Sequence, residues 1–244
     1  MNVGEDVDGG NLIIEAMTPD CREFVADHSL TKPIASGEVI HEPGAPLQNM
    51  VFPHDGQISV QYLMKEGRTV EMVAVGADGA VGIDYLLGGE RYRYLAVTVI
   101  SGRASWLPIK DFQTALQQFS CVRPAMAAYI ERRGRLLMQA VACASVHTAI
   151  QRLSTWLLHA DDRTQADSFD ITQRMLADIL GFRLATISES CNKLLGLGAI
   201  HYSRGTLSIV DRALLEAQSC ECYEAVRLGP LEEFDADWLR PVAH

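Results

Sequence analysis

The pattern of this 244-residue chain changes at Trp106 and Pro108, and that change limits its fold more than any other feature. Before it, from about residue 32, short apolar stretches are separated by glycines, as in "GEVIHEPG" and "TVEMVAVGADGAVG". Segments 58–63 and 69–75 are β-rich and enclose the turn "KEGR". Turn signals at intervals of about eight to twelve residues favour an antiparallel sandwich or barrel. After residue 108 the apolar spacing is helical, so we predict an α+β protein.

The charge balance excludes some classes of partner. The chain has 31 acidic and 21 basic residues, which gives a formal net charge of −10. This excess argues against a protein that coats nucleic acid or anionic membrane indiscriminately, although a local basic face remains compatible with it. Neither an apolar run of membrane-spanning length nor a cleavable leader is recognisable. We therefore expect a cytoplasmic protein without a membrane partner.

The six cysteines form no CxxC pair, and only Cys220 and Cys222, in "SCECY", lie close together in sequence. Two thiolates alone would need two more ligands to hold a metal ion. The other interpretation is free, partly buried thiols in a reducing compartment. We adopt this second interpretation and predict no metal site.

A long helix is predicted after a short one over "IKDFQTALQQF", beginning near Pro124. Apolar residues recur along this helix at helical spacing and form one stripe. The stripe can pack on its own domain or on a second copy of the chain, and we predict a symmetric dimer. The polar segment "HADDRTQADSFD" marks an interdomain turn. The predicted dimer stripe consists of Met126, Ile130, Leu137, Val141 and Ala144.

Two short helices joined by Gly181 are predicted next. Thr172 is a suitable N-cap for the first helix, and Gly181 supplies the left-handed backbone of a tight turn. The second helix spans about 184–195 and places apolar residues on one side. The predicted buried residues are Leu176, Ile179 and Leu180 of the first helix, and Ile187, Cys191 and Leu194 of the second. This is the pattern of a helix-turn-helix, although helical pairs of this kind also occur in proteins that never touch DNA.

A β-hairpin with Arg204 and Gly205 at its tip completes the unit as a wing, formed by residues 200–202 and 206–210. Residues 171–212 carry five basic and three acidic side chains, so five minus three leaves +2. Phosphate neutralisation by so few charges is weak and strongly salt-dependent. Useful affinity would therefore require two copies on two half-sites.

Several stretches, taken together, resemble the Crp/Fnr superfamily of bacterial transcription regulators: "GEVIHEPG", "VFPHDGQISV", "VEMVAVGADGAVG", "RLSTWLLHADDR", "LADILGFRLATISESCNKL" and "SCECYEAV". The resemblance runs from about residue 20 to 226 and is strongest to a branch without an assigned effector. It implies an antiparallel β-roll of the cyclic-nucleotide-binding kind, a long dimerisation helix and a C-terminal winged helix-turn-helix. The expected divisions are a flexible tail (1–17), a β-roll sensor domain (18–120), the dimerisation helix and hinge (121–158), the winged domain (159–226) and a C-terminal tail (227–244).

The resemblance also implies that the second helix of the winged unit contacts bases. Members similar to the cyclic-AMP receptor have arginine and glutamate where this chain has Leu184 and Ala185, and arginine where it has Glu189, so no operator sequence follows. Arg183 can bond guanine O6 and N7 or a phosphate, and both roles stay open. The predicted DNA-binding set is Gln173, Arg174, Arg183, Leu184, Ala185, Thr186, Ser188, Glu189, Asn192, Lys193 and Arg204.

The effector position departs further from the family. Its cyclic-nucleotide binders carry a Gly-Glu pair followed, after several residues, by Arg-Ser, whereas here the stretch is "VGIDYLLGGERYRYLAV". Ile83 follows Gly82, so the ribose-binding carboxylate is missing, and only Arg91 and Arg93 lie near the phosphate position. The predicted effector pocket is Gly82, Ile83, Asp84, Arg91 and Arg93.

No cofactor is predicted, and the effector is left unknown, with a cyclic nucleotide disfavoured. The iron–sulfur branch requires an N-terminal cysteine cluster, where this chain has only Cys21. Haem ligation by His41, His54 or Met50 has no support beyond residue type.

The leading interpretation is a homodimeric transcription regulator that binds a palindromic site on double-stranded DNA, with a β-roll that receives an effector or a protein signal. An activator would also contact RNA polymerase, but no residue pattern identifies that surface. The alternative is a sensor or protein-interaction module that does not bind DNA, suggested by Leu184, Ala185 and Glu189 on the reading face. GxSxG, HExxH, P-loop and paired-carboxylate patterns are not found, so we do not expect an enzyme.

Overall fold

The N-terminal half of the molecule is an antiparallel β domain. We describe residues 10–164, 166 and 168–225 from a computed structural model. The β domain contains a three-stranded sheet in the order β1, β7, β3 and a four-stranded sheet in the order β2, β6, β4, β5. Its strands are β1 (Leu30–Ile34), β2 (Val39–His41), β3 (Asn49–Pro53), β4 (Gln57–Leu63), β5 (Thr69–Val75), β6 (Leu95–Ile100) and β7 (Gly102–Pro108).

The β4–β5 hairpin confirms the strands expected over 58–63 and 69–75. Leu63 pairs with Thr69 next to the turn, in which Gly67 takes φ 82°. That left-handed backbone favours glycine. Between the two sheets, Ile34, Val51 and Ile58 belong to one apolar cluster and are at most 1% exposed.

Residues 10–17 are part of the folded domain, so the flexible tail expected through residue 17 is wrong for them. Asn11 caps α1 (Leu12–Glu15), and its side-chain amide donates to the carbonyls of Pro53 and Gly79, both at 2.8 Å. Ile13 is fully buried. Both polar and apolar contacts tie this short segment to the β domain; residues 1–9 lie outside the described residues.

Two more helices lead into α4 (Val122–Val146), whose 25 residues span about 37 Å. They are α2 (Pro19–His28) and α3 (Ile109–Gln118), and α3 confirms the short helix expected after Pro108. The predicted dimer stripe on α4 is partly covered by the chain's own β domain. Met126 is 1% exposed and packs, together with Ile130, in the core beside α1 and α2, while Leu137 packs against the sheets. Met126 is thus covered within its own chain, which the prediction of a dimer contact did not anticipate, whereas Ile130 and Leu137 are half-buried.

The C-terminal domain begins earlier than expected. Helix α4 ends before His147, and a capping box between Thr148 and Gln151 starts α5 (Ala149–Asp162). Leu153 and Leu157 of α5 are fully buried in the winged-domain core. The expected boundary at residue 159 is therefore wrong, because α5 covers that core and extends into the first four residues of the predicted interdomain turn.

The remaining elements form the winged unit. A three-stranded antiparallel sheet in the order β8, β10, β9 lies beside the helical pair. The elements are β8 (Phe169–Asp170), α6 (Gln173–Leu180), α7 (Leu184–Gly196), β9 (Ile200–Ser203), β10 (Thr206–Ile209), α8 (Arg212–Glu216) and α9 (Cys222–Ala225).

A buried ionic contact joins the β domain to α4 and α5. Asp78 accepts from Arg163 Nε of α5 at 3.2 Å and lies 3.6 Å from Arg132 Nη2 of α4. Asp78 is 5% and Arg163 9% exposed. Nearby, Trp156 Nε1 donates to Glu71 Oε1 of β5 at 3.0 Å. The winged domain is thus docked on the β domain by polar contacts as well as apolar ones.

Among the residues described, no helix is long and apolar enough to cross a membrane.

Candidate nucleic-acid interface

The helix-turn-helix geometry is set by two local signals. The Thr172 side chain accepts from the Met175 N–H at 3.1 Å and caps α6. Gly181 ends α6 with φ 71°, and its N–H bonds the Ala177 carbonyl. Both features were predicted, and both are confirmed because they depend only on residues close in sequence.

Helix α7 has a buried side and an exposed side. The predicted inward residues Ile187, Cys191 and Leu194 are all fully buried. Leu184 is 45% exposed at the first turn, and Arg183 is the exposed N-cap. The other exposed members of the predicted set on this helix are Ala185, Glu189, Asn192 and Lys193, while Thr186 and Ser188 are half-buried beside them.

Most basic side chains of the winged unit are already paired. Arg174 bonds Asp178 at 3.0 Å, and Lys193 bonds Glu189 at 3.0 Å, each one helical turn apart. Arg212 bonds Asp161, Asp162 and Glu216 on the side of α5. These contacts reduce the positive charge available to a partner.

Two arginines are exceptions. Within the described part of the chain neither Arg183 nor Arg204 has an ion pair, and both are exposed. Arg204 lies at the tip of the wing with φ 53°, followed by Gly205 with φ 91°. Successive left-handed residues form the tight hairpin turn that was predicted there. Gln173, also in the predicted set, is half-buried, and its N–H donates to the Tyr202 hydroxyl at 3.1 Å.

The residues of the predicted effector pocket differ in exposure. Gly82, Ile83 and Asp84 lie together at the start of a 3₁₀ turn, but Ile83 is only 7% exposed and packs in the core. A Cβ at Gly82 would lie 2.8 Å from the Asn49 carbonyl oxygen, and its φ is 102°. Burial raises the pKa of Asp84, and the charges of Arg133 and Arg93 oppose this shift.

Arg91 and Arg93 are exposed, and Arg91 donates to the Gly44 carbonyl at 2.7 Å. Between them, Tyr92 is 5% exposed and stacks on His41 with ring centroids 3.5 Å apart. Its hydroxyl donates to the Asn49 carbonyl at 2.9 Å. Sequence reasoning missed this pair, because His41 lies on β2 and Tyr92 in the segment before β6, about fifty residues later in the chain.

A group of potential metal ligands was also missed. Cys143 and His147, at the end of α4, meet Cys220 and Cys222 from the segment before and within α9. Burial, together with the neighbouring Cys220 thiol, raises the pKa of Cys143. The CxC pair was the only signal in the sequence, since the other two residues are more than 70 positions away.

Two family models match separate parts of the chain. Residues 31–119 match the cyclic nucleotide-binding domain. Residues 151–218 match the Crp-like helix-turn-helix domain, which agrees with a winged unit that includes α5. No curated protein matches the chain in sequence.

Solved structures share this architecture at low identity. FixK2 from Bradyrhizobium japonicum has a TM-score of 0.66 and 18% identity, over 79% of this chain and 98% of that one. A transcriptional regulator of the CRP family from Thermus thermophilus has a TM-score of 0.65 and 19% identity, over 77% and 95%. The c-di-GMP responsive global regulator CLP from Xanthomonas campestris has a TM-score of 0.59 and 14% identity, over 79% and 99%. These similarities concern the fold.

Proposed function

The chain belongs to the Crp/Fnr superfamily of transcription regulators, and on that premise we propose that it works as a homodimer that recognises a two-fold symmetric DNA site. The exposed side of α7 contacts bases in the major groove, and the wing contacts phosphate. The β domain receives a signal, from an effector or a protein, and transmits it to the winged domain.

The observation that carries the proposal is the two-sided structure of α7. Its buried side fixes the helix on the winged core, while the predicted contact residues from Arg183 to Lys193 lie on the exposed side. A helix with its side chains is about 10–12 Å across, and the major groove is about 12 Å wide. The exposed side therefore has the size to enter the groove.

The charge available on one copy argues for two copies. Arg183 and Arg204 are the two exposed arginines without an ion pair among the described residues of the winged unit. Each phosphate neutralised contributes about −0.9 to the slope of log K against log salt on duplex DNA. A dimer doubles the number of contacts, and it also reads two half-sites.

An exposed face of α4 supplies a surface for the dimer. Met138 and Val141 are each 68% exposed, and Ala142 is exposed beside them. Positions three and four apart lie on one side of a helix, so these residues form one apolar face. The predicted Val141 belongs to this face, and the predicted Ala144 is exposed three residues further along the helix.

The experiment is capture of genomic DNA fragments by the purified protein at several salt concentrations, followed by motif discovery. We expect a two-fold symmetric motif whose half-site centres lie about one helical turn, roughly 34–36 Å, apart. Val141→Glu, which charges the α4 face, should weaken capture without unfolding the chain. A library without any motif at every salt concentration would count against the proposal.

Leu184 favours a second candidate, because an apolar side chain that is 45% exposed at the start of α7 also suits a protein contact. In that case the winged domain would bind another protein. If the wild-type chain binds DNA and Arg183→Ala does not, protein binding is excluded as the sole function of the winged domain.

A further inference from the structure

Four side chains with metal-binding atoms converge where α4 ends and the winged domain begins. Cys143 lies in the last turn of α4, and His147 is its C-cap residue. Cys220 precedes α9, and Cys222 is its first residue. The three Sγ atoms and one imidazole nitrogen all lie within 4.8 Å of one another.

We propose that Cys143, His147, Cys220 and Cys222 bind a thiophilic divalent cation, represented by Zn²⁺, in a closed tetrahedral Cys₃His site. Thiolate and imidazole are the ligands that Zn²⁺ prefers, and four protein ligands are typical of structural zinc. On binding, the three thiols release their protons to solvent, and the imidazole coordinates in its neutral form.

The measured separations fit such a site. With Zn–S bonds of about 2.3 Å and a Zn–N bond of about 2.1 Å, tetrahedral ligands lie about 3.8 Å apart for two sulfurs and about 3.6 Å apart for sulfur and nitrogen. Cys143 Sγ and Cys220 Sγ are 3.7 Å apart. Cys222 Sγ and His147 Nδ1 are 3.6 Å apart. Because no pair exceeds 4.8 Å, the remaining edges need to contract by at most about 1 Å.

The residues around the ligands have the arrangement of an outer shell. His147 Nδ1 faces Cys222, and its Nε2 lies 3.1 Å from Glu221 Oε2, which is the carboxylate–imidazole pairing that orients a metal-binding histidine. Gln139 Nε2 donates to Cys222 Sγ at 3.0 Å. The Thr155 hydroxyl accepts from the Cys220 N–H at 3.2 Å, which leaves its hydrogen to donate to Cys220 Sγ at 3.1 Å. Such donors stabilise thiolates.

A simple thiol pair explains less of this arrangement. A disulfide between Cys143 and Cys220 would require an oxidant and a shortening of the S–S distance from 3.7 Å to about 2.0 Å. It would also leave Cys222 and the His147–Glu221 pair without a role. A metal ion accounts for all four ligands and for the carboxylate together.

The position of the site implies a mechanical consequence. The ligands join α4 to a segment that packs on α5 through Thr155, so the ion would fix the angle between α4 and the winged domain. A cavity of about 180 Å³ between the domains reaches Cys143, Cys222 and Gln139 and gives an access path. The coordination itself is independent of the proposed function, and only its effect on DNA reading rests on it.

The test is titration of the reduced, metal-free full-length chain with Co²⁺ and then Zn²⁺. We expect one equivalent of Co²⁺ to produce the visible bands of a tetrahedral ion and near-ultraviolet thiolate-to-cobalt charge transfer, which one equivalent of Zn²⁺ then abolishes. Cys222→Ser should lose about a third of the charge-transfer intensity, because it removes one of three thiolates. The matched control Cys121→Ser, at the other end of α4, should behave like wild type.

Thermal unfolding supplies a second readout, which does not depend on the cobalt spectrum. Zn²⁺ at about a hundred times its Kd should raise the Tm of wild type on the order of 5–10 °C, and His147→Ala should lose most of that shift. Absence of charge transfer with wild type, or identical spectra for wild type and Cys222→Ser, would overturn the proposal. Neither readout uses DNA, so failure of DNA binding would leave this result unchanged.

Discussion

Two regions of the molecule correspond to binding regions of the family. They are the exposed side of α7 and the cassette region of the β domain, residues 82–93, and they differ in exposure. On α7 the predicted contact residues face solvent. In the β domain, Ile83 and Tyr92 face inward, and Tyr92 stacks on His41. The predicted contact side of α7 is thus exposed, whereas two residues of the cassette region belong to the core of the β domain.

The contact between the two domains also has a buried polar centre. It contains a carboxylate, Asp78, that is almost fully buried between two arginines from different helices. A buried charge that loses one partner is costly, so the arrangement is sensitive to small displacements.

Removal of Asp78 is the largest expected effect. Asp78→Ala leaves Arg163 buried without its carboxylate and should lower the free energy of unfolding by about 3–5 kcal/mol in urea denaturation. The matched control is Glu66→Ala, whose pair with Arg68 is 64% and 74% exposed and should cost less than about 1 kcal/mol. If the two substitutions lowered the free energy of unfolding equally, the Asp78–Arg163 pair would be no more important than a surface pair, which would contradict this prediction.

Substitution of Arg183 tests the open side of the comparison. Arg183→Ala should weaken binding to the captured DNA by about 1–3 kcal/mol per half-site, because it removes a bidentate base contact or a charge-assisted phosphate contact. Fluorescence anisotropy with labelled duplex measures this loss. Arg22→Ala, an exposed arginine of α2, serves as the control and should keep wild-type affinity.

Two half-buried histidines, one in each domain, allow the two regions to be compared by their pH dependence. Burial lowers the pKa of His41 to about 4, and burial together with the Arg163 charge lowers the pKa of His159 to about 4. Between pH 6.5 and 4 the unfolded chain binds protons that the folded chain does not, so the free energy of unfolding falls as the pH falls through this window. Each histidine contributes up to about 1.4 kcal/mol per pH unit.

Denaturation of His41→Gln and His159→Gln across this range should show a flatter pH dependence than wild type. A wild-type slope in either variant would show that the substituted histidine is not buried as neutral imidazole.

Cyclic nucleotide should have the smallest effect, which we expect to be zero. A ligand at a hundred times its Kd would stabilise the folded chain by about 2.7 kcal/mol. Cyclic AMP or cyclic GMP at millimolar concentration should leave the Tm and the DNA affinity unchanged, because Ile83 replaces the family's carboxylate and packs in the core. A saturable rise in Tm would contradict the contrast between the two regions.

Features that depend on residues close together in the sequence could be predicted from it. Thr172, Gly181 and the buried side of α7 are local signals, and the structure has them where they were expected. The strands on either side of Gly67 were equally readable, because a turn and an alternating pattern occupy one short stretch.

Features set by partners distant in sequence were not readable. The amide of Asn11 is held by carbonyls at positions 53 and 79, so "GGNLI" alone looks like a tail. Periodicity on α4 gave the apolar positions but not which of them the β domain would cover, as it does for Met126. Likewise, Cys143 and His147 carried no signal until the fold placed them beside the CxC pair.

The most direct test of the central claim compares binding of the purified chain to its captured two-fold site with binding to the same site carrying an insertion of about five base pairs, half a helical turn, between the half-sites. A dimer with two open reading faces should bind the original site tightly and lose most of that affinity on the lengthened one, where the half-sites face opposite sides of the duplex. Equal affinity for the two duplexes would show that the winged units do not read DNA as a symmetric pair and would contradict the account.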